Sequence, residues 1–224
     1  MASSRPSDLV HLTGLSTLDD PVRRRLYSYV SEADAPVSRE QAATVADIGR
    51  TLAAYHLDKL ADAGLLMVVD PRTAGRGVGR PAKLYQCAAQ ELSVSVPPRD
   101  YALLAGVLAT AVRTDTDGAV RAAIHEAAHQ AGMRAVTAPG ADLSEALHGC
   151  GYQPHHASDG HIELRNCPFH SVATQYLDVV CDLNVHLIEG VIEASGSDQA
   201  RAELDPRPGR CCVVIHDSTE TARS

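Results

Sequence analysis

Residues 38–84 read SREQAATVADIGRTLAAYHLDKLADAGLLMVVDPRTAGRGVGRPAKL, and the rest of the chain can be interpreted outward from this stretch. Ser38 stands three residues before Gln41, which is the spacing of a capping box at the start of a helix. This spacing predicts a helix that runs to about Val45. A turn at Ala46 and Asp47 follows, and we expect the Asp47 side chain to cap a second helix.

The second predicted helix has an apolar side and a polar side. The apolar side follows the i, i+4, i+7 spacing of a buried helix face and consists of Leu52, Ala53, His56, Leu57, Leu60 and Gly64. The opposite side presents Arg50, Thr51, Ala54, Tyr55 and Asp58. We interpret His56 as a satisfied histidine at the edge of the core. Gly64 suits the left-handed residue that ends a helix, and the apolar residues 65–69 predict a strand.

Residues 70–81, DPRTAGRGVGRP, predict the tip of a β-hairpin because they combine three glycines with two prolines. Positive charge is concentrated at this tip, on Arg72, Arg76, Arg80 and Lys83. DNA phosphates attract such a loop, and arginines on a thin hairpin can enter the narrow minor groove. A nucleotide-binding glycine loop would require a helix directly after it, whereas a strand is predicted here.

The order helix, turn, helix and basic hairpin predicts a winged helix-turn-helix DNA-binding domain over residues 17–90. Arg50, Thr51, Ala54 and Tyr55 would then face base edges in the major groove, while the hairpin cations would hold the backbone or the minor groove. The alternative is that the helix pair belongs to a small helical bundle without a DNA target.

Charge is divided unevenly along the chain. The net charge is −8, yet residues 1–88 carry 11 Lys/Arg against 10 Asp/Glu, and residues 89–224 carry 9 against 18. DNA would repel the acidic half, which should point away from it. No secretory signal is recognisable, and the apolar stretch at residues 101–112 is too short to span a bilayer. We therefore expect a cytoplasmic protein whose six cysteines are reduced.

The remaining segments predict an α+β protein of several parts. We expect a flexible N-terminus at residues 1–16, followed by a helix over residues 18–30 that Asp20 caps and Pro21 opens. Residues 91–138 are predicted to be a linker with two dimerisation helices, over about residues 99–112 and 117–135. Those helices could instead join the C-terminal core. Residues 139–224 predict a small α+β domain that contains most of the cysteines.

One motif within the second of these helices is typical of a metal-dependent hydrolase. His125, Glu126 and His129 form HExxH, which places two imidazoles on one helical face with the glutamate as base. The pattern is short, and neither a third ligand nor a substrate cleft can be identified. We therefore interpret these side chains as surface residues and expect that the protein is not an enzyme, with a metal-dependent hydrolase as the remote alternative.

The C-terminal cysteines have the spacing C-x13-C-x29-CC, formed by Cys167, Cys181, Cys211 and Cys212. Soft thiolates suit zinc, copper(I) or an iron–sulfur cluster, and four ligands complete a tetrahedral zinc site or a four-iron cluster. His170 adds a nitrogen ligand three residues after Cys167. The alternative is a set of buried structural cysteines, and we assign that role to Cys87 and Cys150.

The chain resembles the ArsR-like winged-helix regulators, in particular the group that includes the SufR-type iron–sulfur-sensing repressors. The resemblance rests on AAYHLDKLADAGLL (53–66), GRGVGRPAKLY (75–85), NCPFH (166–170), CDLNVHL (181–187) and PGRCCV (208–213). It implies a homodimeric transcription regulator with a cluster or metal on Cys167, Cys181 and either Cys211 or Cys212. A symmetric dimer would read an inverted repeat in double-stranded DNA, with half-sites roughly 34 Å apart. The alternatives are a purely structural zinc or no cofactor.

Overall fold

The computed structural model describes residues 6–69, 83–89, 91–93, 99–137, 140–207 and 210–217. The chain divides into two compact units, Met1–Arg99 and Asp100–Ser224. Both units combine helices with a small antiparallel sheet. No helix in these ranges is both long and apolar enough to cross a membrane.

The first unit is a helical domain closed by a three-stranded sheet. Its elements are α1 Pro6–Thr17, α2 Pro21–Glu32, β1 Val37–Ser38, α3 Arg39–Ala46, α4 Arg50–Asp62, β2 Leu66–Val69 and β3 Leu84–Cys87. The sheet order is β1-β3-β2, and both pairings are antiparallel, so β2 and β3 form the predicted hairpin. Residues 6–16, for which no element was predicted, lie in helix α1, and the flexibility expected of residues 1–16 stays a prediction.

Local capping interactions explain where α2 and α3 begin. The Asp20 carboxylate accepts hydrogen bonds from the N–H groups of Val22 and Arg23, as expected of a cap before Pro21. Ser38 and Gln41 form the predicted capping box, since each side chain accepts a hydrogen bond from the other residue's backbone N–H. Two donors at the N-terminus of α3 are thereby satisfied at once.

The predicted role of Asp47 as an N-cap is wrong. Asp47 ends α3 in a left-handed conformation (φ 53°, ψ 50°), and its N–H donates to the Ala43 and Thr44 carbonyls. Gly49 precedes α4 instead, with no side-chain cap. Aspartate tolerates the left-handed region better than most residues because its short side chain can bond locally, and the turn therefore ends one helix rather than starting the next.

The core of the first unit lies between α2, α3, α4 and the sheet. Leu26, Leu57, Leu60 and Tyr85 are fully buried in it. The predicted apolar side of α4 is confirmed for Ala53, His56, Leu57 and Leu60, which are all buried. Leu52 is the exception, since 45% of it is exposed. Leu52 is also not among the residues of the core of this unit.

The second unit packs a long helix against a four-stranded antiparallel sheet. Its helices are α5 Tyr101–Arg113, α6 Ala119–Ala135, α7 Leu143–Gly149, α8 His170–Ala173 and α9 Leu177–Ser195. Its strands are β4 Pro154–His156, β5 Ile162–Leu164, β6 Ala200–Leu204 and β7 Val213–Asp217, in the order β4-β5-β7-β6. Strand β6 was not predicted, and Cys211 and Cys212 lie just before β7 rather than inside it.

Helices α6 and α9 lie in direct backbone contact along their length. Two glycines permit this approach: a Cβ on Gly132 would lie 2.0 Å from the Leu187 carbonyl oxygen, and one on Gly190 would lie 2.0 Å from the His129 carbonyl oxygen. The predicted dimerisation segment is thus not a separate layer, because α6 packs within the C-terminal unit. Pairing of two copies through α5 or α6 stays a prediction.

Candidate nucleic-acid interface and cysteine site

The exposed side of α4 is the candidate DNA-reading surface. Arg50, Thr51 and Tyr55 are exposed there, and Ala54 is half-buried. Arg50 Nη1 lies 3.2 Å from Glu40 Oε1 on α3, and both side chains remain accessible to solvent. An ion pair between exposed side chains contributes little to stability, so Arg50 can exchange Glu40 for a base at small cost.

The exposure of two apolar side chains on this surface was not predicted. Leu52 adds an apolar side chain between the polar ones, and Val45 on α3 is 47% exposed. The Lys59 ammonium lies 5.9 Å from the centre of the Tyr55 ring, within the range of a cation–π contact. The exposure of Leu52 could have been predicted, because the apolar residues of α4 cover more of the helix surface than one buried face needs.

His56 lies inside the domain and cannot read bases. Only 7% of it is exposed, and its Nδ1 is a buried nitrogen without a hydrogen-bond partner. The prediction of a core-edge position is confirmed, whereas the expectation of a satisfied histidine is wrong for Nδ1.

The base of the hairpin is tied to α4 through Asp58. Lys83 Nζ donates to Asp58 Oδ1 at 2.8 Å, and the buried Tyr85 hydroxyl donates to the same oxygen at 3.0 Å. Burial raises the pKa of Asp58, but the two hydrogen bonds outweigh it, and the net pKa lies below its ordinary value. Burial and the Asp58 charge raise the pKa of Tyr85 to about 12. Lys83 therefore anchors the hairpin, while Arg72, Arg76 and Arg80 lie outside the described residues.

In the second unit, the structure joins Cys181 of α9 to Cys212, just before β7, in a disulfide. Their Cα atoms are 6.3 Å apart, within the usual span of such a bond. The structure thus pairs these two sulfurs, and the reduced state expected of the six cysteines stays a prediction. The two sulfurs meet because α9 packs against the sheet, which places Cys181 beside the residue that precedes β7.

The other two predicted cysteine ligands also meet. Cys167 and Cys211 hydrogen-bond through their sulfurs. The interaction with Cys211, together with the Phe169 N–H, lowers the pKa of Cys167 to about 7 despite burial. The interaction with Cys167, followed by burial, raises the pKa of Cys211. The loop NCPFH is thus shaped to hold a thiolate at Cys167.

Buried polar groups fix the position of Cys211. The Asn184 amide on α9 donates to Cys211 Sγ at 3.3 Å, and the Tyr152 hydroxyl donates to the Asn184 carbonyl oxygen. The Arg210 guanidinium, with 7% of its side chain exposed, lies 2.5 Å from Glu163 and 2.6 Å from Asp205. These contacts hold the segment before β7 against both α9 and β5.

His170, the predicted nitrogen ligand, is exposed on the short helix α8, where its backbone N–H donates to the Cys167 carbonyl. Four sulfurs would suit a cluster or a zinc ion in number and chemistry. The one group of three ligand atoms that lies within 4.8 Å in the described residues, however, contains none of these cysteines. Ligation by Cys181 and Cys212 requires that their disulfide first be reduced.

The HExxH histidines do not converge on one point. His125 Nε2 lies 2.8 Å from Asp182 Oδ2, whereas His129 Nε2 lies 3.0 Å from Glu193 Oε2. The pair therefore makes two separate contacts along α9. Sequence reasoning missed Asp182 and His186, although their i, i+4 spacing in CDLNVHL was a visible signal.

Comparison with known proteins agrees with the geometry of α3 and α4. No curated protein and no solved structure matches the chain significantly. The family model described as a helix-turn-helix domain matches residues 18–69, which span α2 to β2. The protein therefore carries a helix-turn-helix domain, which indicates a DNA-binding transcriptional regulator.

Proposed function

We propose that the protein is a homodimeric, sequence-specific transcriptional regulator of the ArsR-like winged-helix type. The observation that carries this proposal is the exposed side of α4, which presents Arg50, Thr51 and Tyr55 within the matched domain. A DNA target also places the protein in the cytoplasm, as the sequence led us to expect. No observation on His125, Glu126 and His129 favours a hydrolase.

The chemistry of the α4 surface suits the major groove. Arg50 can donate two hydrogen bonds to a guanine, and Leu52 can contact a thymine methyl group. Glu40, the present partner of Arg50, would be repelled by phosphates and released. The hairpin arginines Arg72, Arg76 and Arg80 supply the sequence-independent part of the affinity.

Replacement of Arg50 by alanine should relax base preference at one position of the half-site. Loss of a bidentate contact removes about 1–3 kcal/mol of discrimination, which corresponds to roughly 5–150-fold in relative affinity. Fluorescence anisotropy on an operator obtained by DNA selection, and on its single-base variants at fixed salt, measures this change. Arg80→Ala should instead weaken binding to all sequences alike and lower the salt slope by about 1.

Arg201→Ala is the matched control, because Arg201 is exposed on β6 in the other unit. It should leave both affinity and preference unchanged. If Arg50→Ala and Arg80→Ala also bind every sequence as the parent does, the assignment of α4 and the hairpin to DNA is refuted.

Helix α5 supports the homodimer. It carries an exposed apolar stripe of large side chains, between 56% and 72% exposed, formed by Tyr101, Leu103, Leu104, Val107 and Leu108. A groove of about 440 Å³ between α5 and α8 borders this stripe. Monomeric proteins rarely leave such a patch uncovered. A second copy is the occupant we propose, since a two-fold pair is what an inverted-repeat operator requires.

Leu104→Glu should convert the dimer to a monomer, because a charge would be buried at the centre of the pairing surface. Sedimentation equilibrium measures the mass, and operator affinity should fall because each head would bind its half-site alone. Leu204→Glu, at a 46% exposed position on β6, is the control and should remain dimeric. A parent that sediments as a monomer would contradict the dimer.

We further propose that Cys167, Cys181, Cys211 and Cys212 hold an iron–sulfur cluster or zinc, as in the SufR-type group that the chain resembles. The support is that Cys181 meets Cys212 and Cys167 meets Cys211, and that Cys211 and Cys212 are adjacent in the chain. A cluster or zinc ion binds cysteine thiolates. Where Cys181 and Cys212 form a disulfide, two electrons from cellular thiols must first reduce it. Occupancy would change DNA affinity by favouring one dimer conformation.

A further inference from the structure

A second cluster of ligand atoms lies between α6 and α9, apart from the cysteines. His125, Asp182 and His186 each offer one ligand atom, and these atoms all lie within 4.8 Å of one another. The His125 and His186 rings are 4.0 Å apart between centroids. Asp182 and His186 are one helical turn apart on α9, and His125 faces them from α6. We propose that this trio is a binding site for a divalent zinc-class ion.

The spacing of one pair in the trio is close to what zinc needs, and the two imidazole rings, 4.0 Å apart, must separate to admit an ion. In a tetrahedral site with bonds of about 2.0–2.1 Å, ligand atoms lie about 3.3 Å from one another. His125 Nε2 and Asp182 Oδ2 are 2.8 Å apart, so they need to separate by only about half an ångström to admit an ion. Two imidazoles and a carboxylate form the nitrogen and oxygen set that Zn²⁺ accepts, with water in the fourth position.

A second carboxylate prepares one of the histidines. His186 Nδ1 lies 2.8 Å from Glu189 Oε2. A carboxylate that accepts a hydrogen bond from the Nδ1–H group leaves the Nε2 lone pair free for a metal and fixes the ring orientation. The three ligand side chains keep between 26% and 31% of their surface exposed, which leaves an ion a way in from solvent.

The close helix contact keeps the site rigid. Gly132 and Gly190 bring the backbones of α6 and α9 together one to two turns from the trio. Ligands on two fixed helices lose little freedom when an ion binds. His129 and Glu193 lie on the same two helices, but they form a pair and not a trio, which makes His129 a matched control.

Arg121 competes with the ion. Its Nη1 lies 2.7 Å from Asp182 Oδ2, so the guanidinium neutralises the carboxylate that an ion would bind. Metal entry must displace Arg121 or use the other carboxylate oxygen. Removal of Arg121 should therefore tighten binding, which is the opposite of the effect of removing a ligand.

Calorimetric titration with Zn²⁺ tests the site. The untagged parent protein and four variants are titrated. His186→Ala should lose one site or weaken it by at least about 100-fold, and Glu189→Gln should weaken it by about 10–100-fold. Arg121→Ala should tighten the same site, and His129→Ala should match the parent. Circular dichroism checks that each variant is folded.

Cobalt separates this site from the cysteines. Co²⁺ on histidine and aspartate gives visible ligand-field bands without the intense near-ultraviolet band of thiolate ligation. We expect such bands in the parent, their loss in His186→Ala, and their persistence in Cys167→Ser. The proposal is overturned if the parent binds no ion outside thiolate ligation, or if His186→Ala and Arg121→Ala titrate as the parent does. Neither result bears on DNA binding.

Discussion

Gly190→Ala should destabilise the C-terminal unit by about 3 kcal/mol or more. The added Cβ would lie 2.0 Å from the His129 carbonyl oxygen and 3.0 Å from the Met133 nitrogen. Both are backbone atoms, so no rotamer change relieves the clash, and α6 and α9 must move apart. Overpacking of this kind typically costs about 1–3 kcal/mol, and more when backbones must shift. Thermal unfolding should show a midpoint more than about 10 °C lower.

The sign of the stability change in Gly190→Ala distinguishes a packing clash from the intrinsic preference of helices for alanine over glycine. Gly190 lies inside a helix, where alanine alone would be favoured by about 1 kcal/mol. Gly149→Ala is the control, because Gly149 ends helix α7 and no atom lies within 4 Å of its added Cβ. It should change stability by no more than about 0.5 kcal/mol. A stabilised Gly190→Ala protein would show that α6 and α9 are not in backbone contact.

The elements that could be predicted from the sequence are those that carry their own local signals. Asp20 with Pro21, and Ser38 with Gln41, fix helix starts through hydrogen bonds that reach at most three residues. The β2–β3 hairpin was likewise predictable from the turn residues between two apolar runs. These signals explain why the helix-turn-helix part was recognisable at residue level.

The elements that escaped prediction depend on partners distant in the chain. Strand β6, ARAEL, has no β-branched residue and is a strand because it pairs with β7 across the intervening turn. The Cys181–Cys212 contact and the His125–Asp182 contact join residues that are 31 and 57 positions apart. Composition can suggest that such residues bind a metal, but only the packing of α9 shows which of them meet.

Cys167→Ser should abolish cofactor binding in protein isolated without oxygen. Serine replaces a soft thiolate by a hydroxyl, which neither an iron–sulfur cluster nor a structural zinc retains as a ligand under neutral conditions. Cys167 is the position to test because its pKa falls to about 7, which favours the thiolate form that binds a metal. Iron, sulfide and zinc analysis of the parent and the variant measures the change. A brown parent with iron and sulfide would identify a cluster, and a colourless one with zinc would identify a metal site.

Two further variants separate ligation from structure. Cys87→Ser is the control, since Cys87 lies in β3 of the first unit, and its cofactor content should equal that of the parent. Cys211→Ser should lose the cofactor as Cys167→Ser does, although the Asn184 amide would keep an oxygen partner. Zinc that disappears in His186→Ala but remains in Cys167→Ser belongs to the α6–α9 trio and does not count toward the cysteine site.

Operator binding by the same preparations decides whether the cysteines regulate DNA binding. If they do, the loaded parent and Cys167→Ser should differ in operator affinity by roughly 5–150-fold, the usual range of allosteric coupling. Addition of a thiol reductant alone should not reproduce the loaded state, because reduction of Cys181–Cys212 frees ligands without supplying the ion or cluster. A parent without metal or sulfide, whose affinity equals that of Cys167→Ser, would leave Cys181–Cys212 as a structural bond and remove sensing from the proposed function.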